Sequence, residues 1–188
     1  MLKQIKEFEK YIIITGFKDV KIEDTEEFLK IINKEKPLGV EIQFFDASLI
    51  ATWQHLYFAA INALTAFKNK MNISKSLAME TLLYASAQRQ IKKTMEIMGI
   101  KPGMSEIAVL IIGEKPAMLK SALQVVLRHI NAEQDDAVLG LSKRKNELIR
   151  KTFGVSEVEL KTVMKKNDLE NALTSLVIER MALLATQR

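Results

Sequence analysis

The stretch IAVLII, at Ile107–Ile112, is the most apolar run of the sequence, and the fold prediction starts from it. Six consecutive apolar side chains, four of them β-branched, are typical of a short strand that is buried on both faces. Two other runs also predict strands: YIIITGF at Tyr11–Phe17 and VEIQFF at Val40–Phe45. Ala137–Leu141 is a weaker fourth candidate. We therefore expect three or four strands in one small mixed sheet.

The rest of the chain predicts helices, because its apolar residues recur three and four positions apart. The longest helix is expected over Lys75–Met98. Capping residues and one favourable proline mark where about seven helices begin. The expected starts are Asp24, Asp46 or Ser48, Ser74, Pro116, Ser142, Ser156 and Asn167.

Length and composition fit one α+β domain. The chain has 188 residues, of which 48% are apolar and 27% charged, the ordinary balance of a globular protein. We expect residues 1–150 to form the α+β core domain and residues 151–188 to be a helical extension of the same domain. Strands and helices in this proportion are typical of the α+β class.

Several classes of protein are excluded by composition. The sequence has no cysteine, so disulfide frameworks, cysteine-ligated metals and thiol catalysis are ruled out. His55 and His129 are the two histidines, too few for a histidine-rich metal site. No apolar run approaches the length of a membrane span, and the first residues do not look like a signal peptide. We expect a cytoplasmic protein with no cofactor and no metal.

The positive charge is concentrated in the middle of the chain. The net charge is +5, and residues 50–103 alone carry seven basic and two acidic groups, also +5. Residues 1–49 are net −2 and residues 104–188 are net +2. A local excess of this kind suits an anionic partner such as RNA. A solvated, lysine-rich face explains it equally well.

One face of the predicted helix Lys75–Met98 combines small, apolar and basic residues. Small side chains let a ligand backbone approach, apolar ones offer area to an unstacked base, and basic ones contact phosphates. The face lacks aromatic side chains for stacking, and a merely solvated helix face stays the alternative. The candidate RNA-binding residues are Lys68, Lys70, Asn72, Lys75, Leu82, Ser86, Arg89, Gln90 and Lys93.

Glu80 falls on the apolar side of the same helix. A buried carboxylate is costly unless it is paired or hydrogen-bonded, so we expect a structural group bonded to His55, a backbone N–H or a helix terminus. A general base is the alternative, although no second catalytic group can be assigned beside it. His55 is expected to be a hydrogen-bonded core histidine.

Three stretches of the sequence form a recognisable pattern: Phe45-Asp46-Ala47 with Leu49-Ile50 and His55-Leu56, Asn72-Ile73-Ser74 with Met79-Glu80 and Leu82-Leu83, and Arg89-Gln90-Ile91 with Met98-Gly99-Ile100. Together they resemble a known family, the small kinase-binding subunit of the KEOPS complex. The similarity is most specific over residues 45–103 and continues loosely through residues 107–112, 134–136 and 177–183. One departure is Ala87, where relatives commonly have glycine.

The resemblance implies a subunit that is not an enzyme. It would belong to the machinery that makes threonylcarbamoyl-adenosine in tRNA, dock on a small atypical protein kinase, and help recruit tRNA through its CCA end. The residues themselves leave two alternatives open: a pure protein–protein adapter without RNA binding, and a small enzyme that uses Glu80 and His55.

The C-terminal helix has more apolar positions than one stripe against a core requires. We therefore expect part of it to face a partner, which the resemblance identifies as the kinase. The alternative is that neighbouring helices around Leu148 and Leu160 cover both of its sides. The candidate kinase-interface residues are Leu173, Leu176, Val177, Arg180, Met181 and Leu184.

Overall fold

The computed structural model describes residues 1–184 and Thr186, and within them the chain forms five strands and eight α-helices. The α+β fold class is therefore confirmed. In chain order the elements are β1 (Leu2–Ile5), β2 (Lys10–Lys18), α1 (Thr25–Glu35), β3 (Glu41–Asp46), α2 (Trp53–Lys68), α3 (Leu77–Ala85), α4 (Ile91–Met98), β4 (Ile107–Gly113), α5 (Pro116–His129), β5 (Glu133–Gln134), α6 (Lys143–Phe153), α7 (Glu157–Val163) and α8 (Leu169–Leu184).

The chain folds into two compact units. The sheet unit consists of residues 1–47 and 99–138, and the helical unit of residues 48–98 and 139–188. The segment 151–188, expected as a helical extension, belongs to the helical unit together with α2, α3 and α4.

The sheet unit is built around β4, which is buried at every residue. Its neighbours are β2 and β3, in the order β1-β2-β4-β3, while β5 pairs with the end of β2. All strand pairs of the described chain are antiparallel, so the expected mixed sheet is wrong. An all-apolar run such as β4 is most common in parallel sheets, and its burial on both faces carries no information about strand direction.

One face of this sheet packs with α1 and α5. The core there includes Phe28 of α1, Phe44 of β3 and Leu119 of α5. The rings of Phe28 and Phe44 meet edge to face, with their centroids 5.1 Å apart. Asp24 caps α1 as predicted, because its carboxylate accepts from the N–H groups of Glu26 and Glu27, both at 2.9 Å.

In the helical unit, α8 packs against α2, α3, α6 and α7. Two of its predicted caps are confirmed. Ser142 accepts from Lys145 N–H, and Ser156 forms a complete capping box with Glu159. The predicted cap of α8 was one residue off, since Asp168, not Asn167, accepts from Asn171 N–H at 3.1 Å.

Three element predictions are wrong. Residues Ala137–Leu141 are not a strand, because Asp136–Leu139 form a 3-10 turn. Neither Asp46 nor Ser48 caps α2, whose N-cap residue is Thr52 after a 3-10 turn over Ala47–Leu49. The predicted long helix Lys75–Met98 is two helices, α3 and α4, joined by a turn.

No helix within residues 1–184 is long and apolar enough to cross a membrane. In the same part of the chain, no group of three or more histidine, aspartate or glutamate side chains is arranged to hold a metal ion.

Candidate functional site

The turn after α3 reshapes the predicted RNA face. Ala87 has a φ of +50°, in the left-handed region, directly after the C-cap residue Ser86. Its N–H donates to Tyr84 O at 2.9 Å, and Gln88 N–H donates to Leu83 O at 3.1 Å. These two bonds form a Schellman motif, which ends a helix. Ala87 therefore occupies the position where a glycine is usual, and the chain changes direction there.

Burial removes two residues from the predicted RNA-binding set. Leu82 is 0% and Ser86 is 2% exposed, so neither side chain is available to a ligand. Ser86 Oγ lies 3.0 Å from Thr94 Oγ1 and donates to Leu83 O at 3.1 Å. Both residues were assigned to the surface because they lie opposite the predicted apolar side of the long helix. In the structure both sides of α3 are covered, since every residue from Glu80 to Ala85 is buried.

A second Schellman motif ends α2 and opens the basic loop, residues 69–76. Lys70 has a φ of +57°, and its N–H donates to Phe67 O at 3.1 Å. Met71 N–H donates to Ala66 O at 2.8 Å. This turn sends the loop away from the α2 axis and leaves Met71 and Ile73 partly exposed, at 51% and 38%.

Glu80 anchors the basic loop. Both of its carboxylate oxygens accept from Ile73 N–H, at 3.1 and 3.0 Å, and one also accepts from Ser74 N–H at 2.7 Å. The side chain is 0% exposed. The interpretation of Glu80 as a structural carboxylate bonded to backbone N–H groups is confirmed.

A pocket of about 140 Å³ lies beside the basic loop. Its apolar walls come from Met71, Ile73 and Leu184, and Arg89 places a guanidinium at it. This volume is close to that of an engineered cavity of about 150 Å³ that binds benzene, so a single aromatic ring fits. The remaining lining residues carry polar groups or small side chains: Asn62, Thr65, Ala66, Asn69 and Tyr84.

Tyr84 and Arg89 are the two ionisable side chains of the pocket lining. Burial and the nearby Glu80 carboxylate raise the pKa of Tyr84, against the opposing effect of Arg89. The Tyr84 hydroxyl is therefore protonated at neutral pH and is a hydrogen-bond donor. Arg89 donates from Nη1 to Leu184 O at 3.3 Å, which holds the guanidinium against the last turn of α8.

The other candidate RNA-binding residues are distributed around this pocket. Lys68 ends α2, Lys70 and Lys75 lie in the basic loop, and all three are exposed. Asn72 is half-buried and donates from Nδ2 to Ser74 O at 2.9 Å, so it organises the loop. Gln90, in the turn before α4, and Lys93, in α4, are exposed but do not line the pocket.

Several pocket residues were not found from the sequence, above all Tyr84, Met71 and Ile73. Tyr84 is 7% exposed and belongs to the core, and part of its side chain lines the pocket. A signal was present for the other two, since two apolar side chains stand between Lys70 and Lys75 in a loop. Single exposed apolar residues are ordinary, whereas contiguous ones mark candidate binding sites.

His55 is a core histidine, as expected. It is 0% exposed, its Nδ1 accepts from Ala51 N–H at 3.3 Å, and its Nε2 donates to Ala85 O at 2.8 Å. Burial, with a contribution from the Lys145 charge, lowers the pKa of His55 to about 4 although the bond to Ala85 opposes this. The alternative of a small enzyme that uses Glu80 and His55 is not supported, because both side chains are buried and engaged in hydrogen bonds.

The predicted kinase interface on α8 is wrong for its apolar residues. They are core residues in the isolated chain, because α8 packs against four helices of the same unit. The side chains that are at most 3% exposed are Leu173, Leu176, Val177, Met181 and Leu184. The alternative interpretation, in which both sides of the helix are covered, therefore applies to these residues.

Arg180 is the one predicted kinase-interface residue that is not fully buried. Its side chain is 24% exposed, and its guanidinium pairs with the Glu159 carboxylate. Bonds from the Ser156 backbone and hydroxyl, together with Arg180, lower the pKa of Glu159 to about 2. Arg180 thus has a partner inside the chain, at the start of α7.

A narrow exposed stripe remains along α8. Ser175 and Ala182 are exposed and small, Ile178 between them is half-buried, and Leu183 is 43% exposed. The charged side chain of Glu179 is exposed on the same side. Residues spaced three and four apart lie on one side of a helix. Small side chains flanked by apolar ones let another helix approach closely.

Two comparisons with known proteins bear on this chain. A family model described as kinase binding protein CGI-121 matches residues 17–185. The chain is also 33% identical, over 126 residues, to the regulatory protein Cgi121 of Methanocaldococcus jannaschii. That alignment covers 67% of this chain and 79% of the relative.

Proposed function

Because this chain belongs to the CGI-121 family of kinase-binding proteins, we propose that it is a non-catalytic subunit of a KEOPS-like complex. In this proposal it binds a small atypical protein kinase and helps recruit tRNA through its CCA end, for threonylcarbamoyl-adenosine formation. The observation that carries the RNA part is the pocket formed by Met71, Ile73, Tyr84 and Arg89 beside the exposed lysines of the basic loop.

The pocket has the chemistry that single-stranded RNA requires. An unstacked base offers a flat apolar face and a polar edge, and its flanking phosphates are negatively charged. Met71 and Ile73 supply apolar area, and Tyr84 supplies a hydroxyl for the base edge. Arg89, Lys70 and Lys75 supply positive charge. A site for one splayed base fits an RNA end better than a duplex, whose base faces are stacked.

A gel-shift series with the purified chain tests the RNA part. The two probes are intact tRNA and the same tRNA without its CCA end. The proposal expects a clear shift with intact tRNA and a much weaker one with the truncated tRNA. Equal binding of both would mean that the basic loop recognises the tRNA body. No binding of either would favour a pure protein–protein adapter.

For the kinase, we propose the exposed stripe of α8 as the docking surface, with Ser175, Ile178, Ala182 and Leu183 as contact residues. The buried residues of α8 hold this stripe in place and do not contact the kinase. The stripe has small and apolar residues around the exposed carboxylate of Glu179, over about two turns, which suits a helix of the kinase packed alongside.

Co-purification with the kinase tests this surface. Ala182→Arg places a long charged side chain in the stripe, and the exposed position should tolerate it. The matched control is Ala117→Arg, at an exposed alanine of α5. Loss of the kinase with Ala182→Arg but not with Ala117→Arg is expected. Full retention in both variants would assign the kinase to another face.

A further inference from the structure

We infer that Glu80 is a positioning residue for RNA binding: it fixes the backbone of the basic loop so that Met71 and Ile73 form the apolar wall of the pocket. The inference rests on the proposed function, because it gives Glu80 a part in binding RNA at the same pocket. Glu80 itself is 0% exposed and does not line the pocket. Its effect on a ligand must pass through the loop.

The hydrogen bonds of Glu80 are directed at the centre of the loop. Among the described residues, its carboxylate accepts only from the N–H groups of Ile73 and Ser74. Two further bonds extend this anchor along the loop: Asn72 Nδ2 donates to Ser74 O at 2.9 Å, and Ser76 N–H donates to Ser74 Oγ at 3.2 Å. The backbone from residue 72 to residue 76 is thus tied to one buried carboxylate.

The start of α3 does not need Glu80. Ser76 is the N-cap residue of this helix, and its hydroxyl accepts from Met79 N–H at 3.4 Å. A carboxylate that served the helix alone would bond to N–H groups of the first turn. Glu80 instead bonds to a segment outside the helix, and the neighbouring residue of that segment, Met71, lines the pocket with Ile73.

The direction of the change in tRNA affinity distinguishes a positioning role of Glu80 from an effect of its charge. Glu80 carries a negative charge close to Tyr84 and to a basic surface. Removing that charge would, by electrostatics alone, strengthen binding to a polyanion. If Glu80 positions the loop, its removal weakens binding. A weaker complex with Glu80→Gln therefore cannot be explained by the change in charge.

The experiment compares tRNA binding by the full chain and by Glu80→Gln, under conditions in which both are folded by circular dichroism. The amide of Gln has a single acceptor oxygen, and its NH₂ group would face backbone N–H groups. We expect tRNA affinity to fall about tenfold, the change that corresponds to the loss of one good contact. We also expect faster hydrogen exchange at the amides of Ile73 and Ser74.

Two further variants act as controls. Leu160→Ala truncates a buried side chain of α7 and lowers the melting temperature, but it should leave tRNA affinity unchanged. Glu80→Asp keeps the charge on a shorter side chain, and its affinity should lie between those of wild type and Glu80→Gln. This second variant also provides the test if Glu80→Gln does not fold.

The outcomes are distinct. If wild type binds tRNA and the Glu80 variants bind it equally well or more tightly, the positioning role is wrong and the proposed function stands. If Leu160→Ala weakens binding as much as Glu80→Gln, the effect is general destabilisation, which also overturns the inference. If wild type does not bind tRNA, the proposed RNA function fails first, and the part assigned to Glu80 falls with it.

Discussion

At Ala87 a single backbone angle ends a helix that the sequence predicts to continue. Its φ of +50° lies in the region that glycine adopts freely, whereas for alanine it costs about 1–2 kcal/mol. Alanine is also the best helix former, so the sequence around it predicts an unbroken helix. The glycine that relatives commonly have at this position, noted in the resemblance, is the residue that a Schellman turn favours.

Ala87→Gly should therefore stabilise the protein. The gain in the folded state is partly offset by the greater freedom of glycine in the unfolded chain, so we expect a net increase of about 0.5–1 kcal/mol in the free energy of unfolding. Urea unfolding measures it. Ala117→Gly, inside α5, is the matched control and should destabilise by a similar amount. Destabilisation by Ala87→Gly would contradict the strain argument.

His55 should make the stability of the protein depend on pH. Its pKa is about 4 in the folded chain, against an ordinary value of 6.5 in the unfolded chain, so the unfolded chain binds the proton more tightly. The contribution of neutral His55 is complete above pH 6.5 and is lost as the pH falls towards 4. We expect the free energy of unfolding to be about 2 kcal/mol lower at pH 5 than at pH 7.5 on this account.

Urea titrations at the two pH values check the prediction, with each histidine replaced in turn. His55→Gln is less stable at pH 7.5 but should lose much less stability on acidification than wild type does. His129→Gln, at the half-buried C-terminal end of α5, removes the hydrogen-bond partner of Glu35 and is the comparison for a histidine outside the core. An unchanged pH dependence in His55→Gln would assign the acid sensitivity to carboxylates.

At the scale of elements, α8 is a core helix. Its apolar residues face several directions because α2, α3, α6 and α7 surround it, and this explains why it has no single apolar stripe. Leu173, at 0% exposure, is representative. Leu173→Ala should reduce the free energy of unfolding by about 2–5 kcal/mol, through lost burial and the cavity left behind.

Thermal melts of Leu173→Ala and of Ser175→Ala test this assignment. Ser175 lies two residues further along the same helix but on the exposed stripe, so its replacement should change stability by less than about 0.5 kcal/mol. Similar small effects from both would mean that α8 is held only loosely. Deleting residues 167–188 should likewise unfold the helical unit, so such a deletion does not report on kinase docking.

The sequence predicted the helices and strands better than it predicted which side of each helix is exposed. Strands β2, β3 and β4 and most helices follow from local patterns, and Asp24, Ser142 and Ser156 cap their helices as their chemistry indicates. The positive φ angles of Ala87 and Lys70 could not be predicted from the sequence, because neither residue is a glycine. Leu82 and Ser86 precede Ala87, and their assignment to the surface is wrong because α3 is buried on both sides.

At the scale of the whole molecule, charge separates between the two units. The helical unit contains 16 basic and 8 acidic residues, a net charge of +8. The sheet unit contains 12 basic and 15 acidic residues, a net charge of −3. Apart from Lys101, the basic residues that the sequence located in residues 50–103 thus belong to a larger positive unit, which is assembled from two separate segments. A polyanion is attracted to this unit and repelled from the other.

This separation predicts that the place of a lysine matters more than the number of lysines. Lys70→Ala with Lys75→Ala removes two positive charges from the basic loop, and Lys30→Ala with Lys120→Ala removes two exposed ones from the sheet unit. Each phosphate contact that is lost reduces the slope of log affinity against log salt by about 0.7 for a single strand, so the loop variant should lose about 1.4. The sheet-unit variant has the same net charge as the loop variant and should keep the wild-type slope, because its lysines lie outside the proposed RNA site. Filter binding to tRNA over a range of salt concentrations measures both slopes. Equal losses in the two variants would show that tRNA responds to net charge alone, and the basic loop would then have no special place in binding.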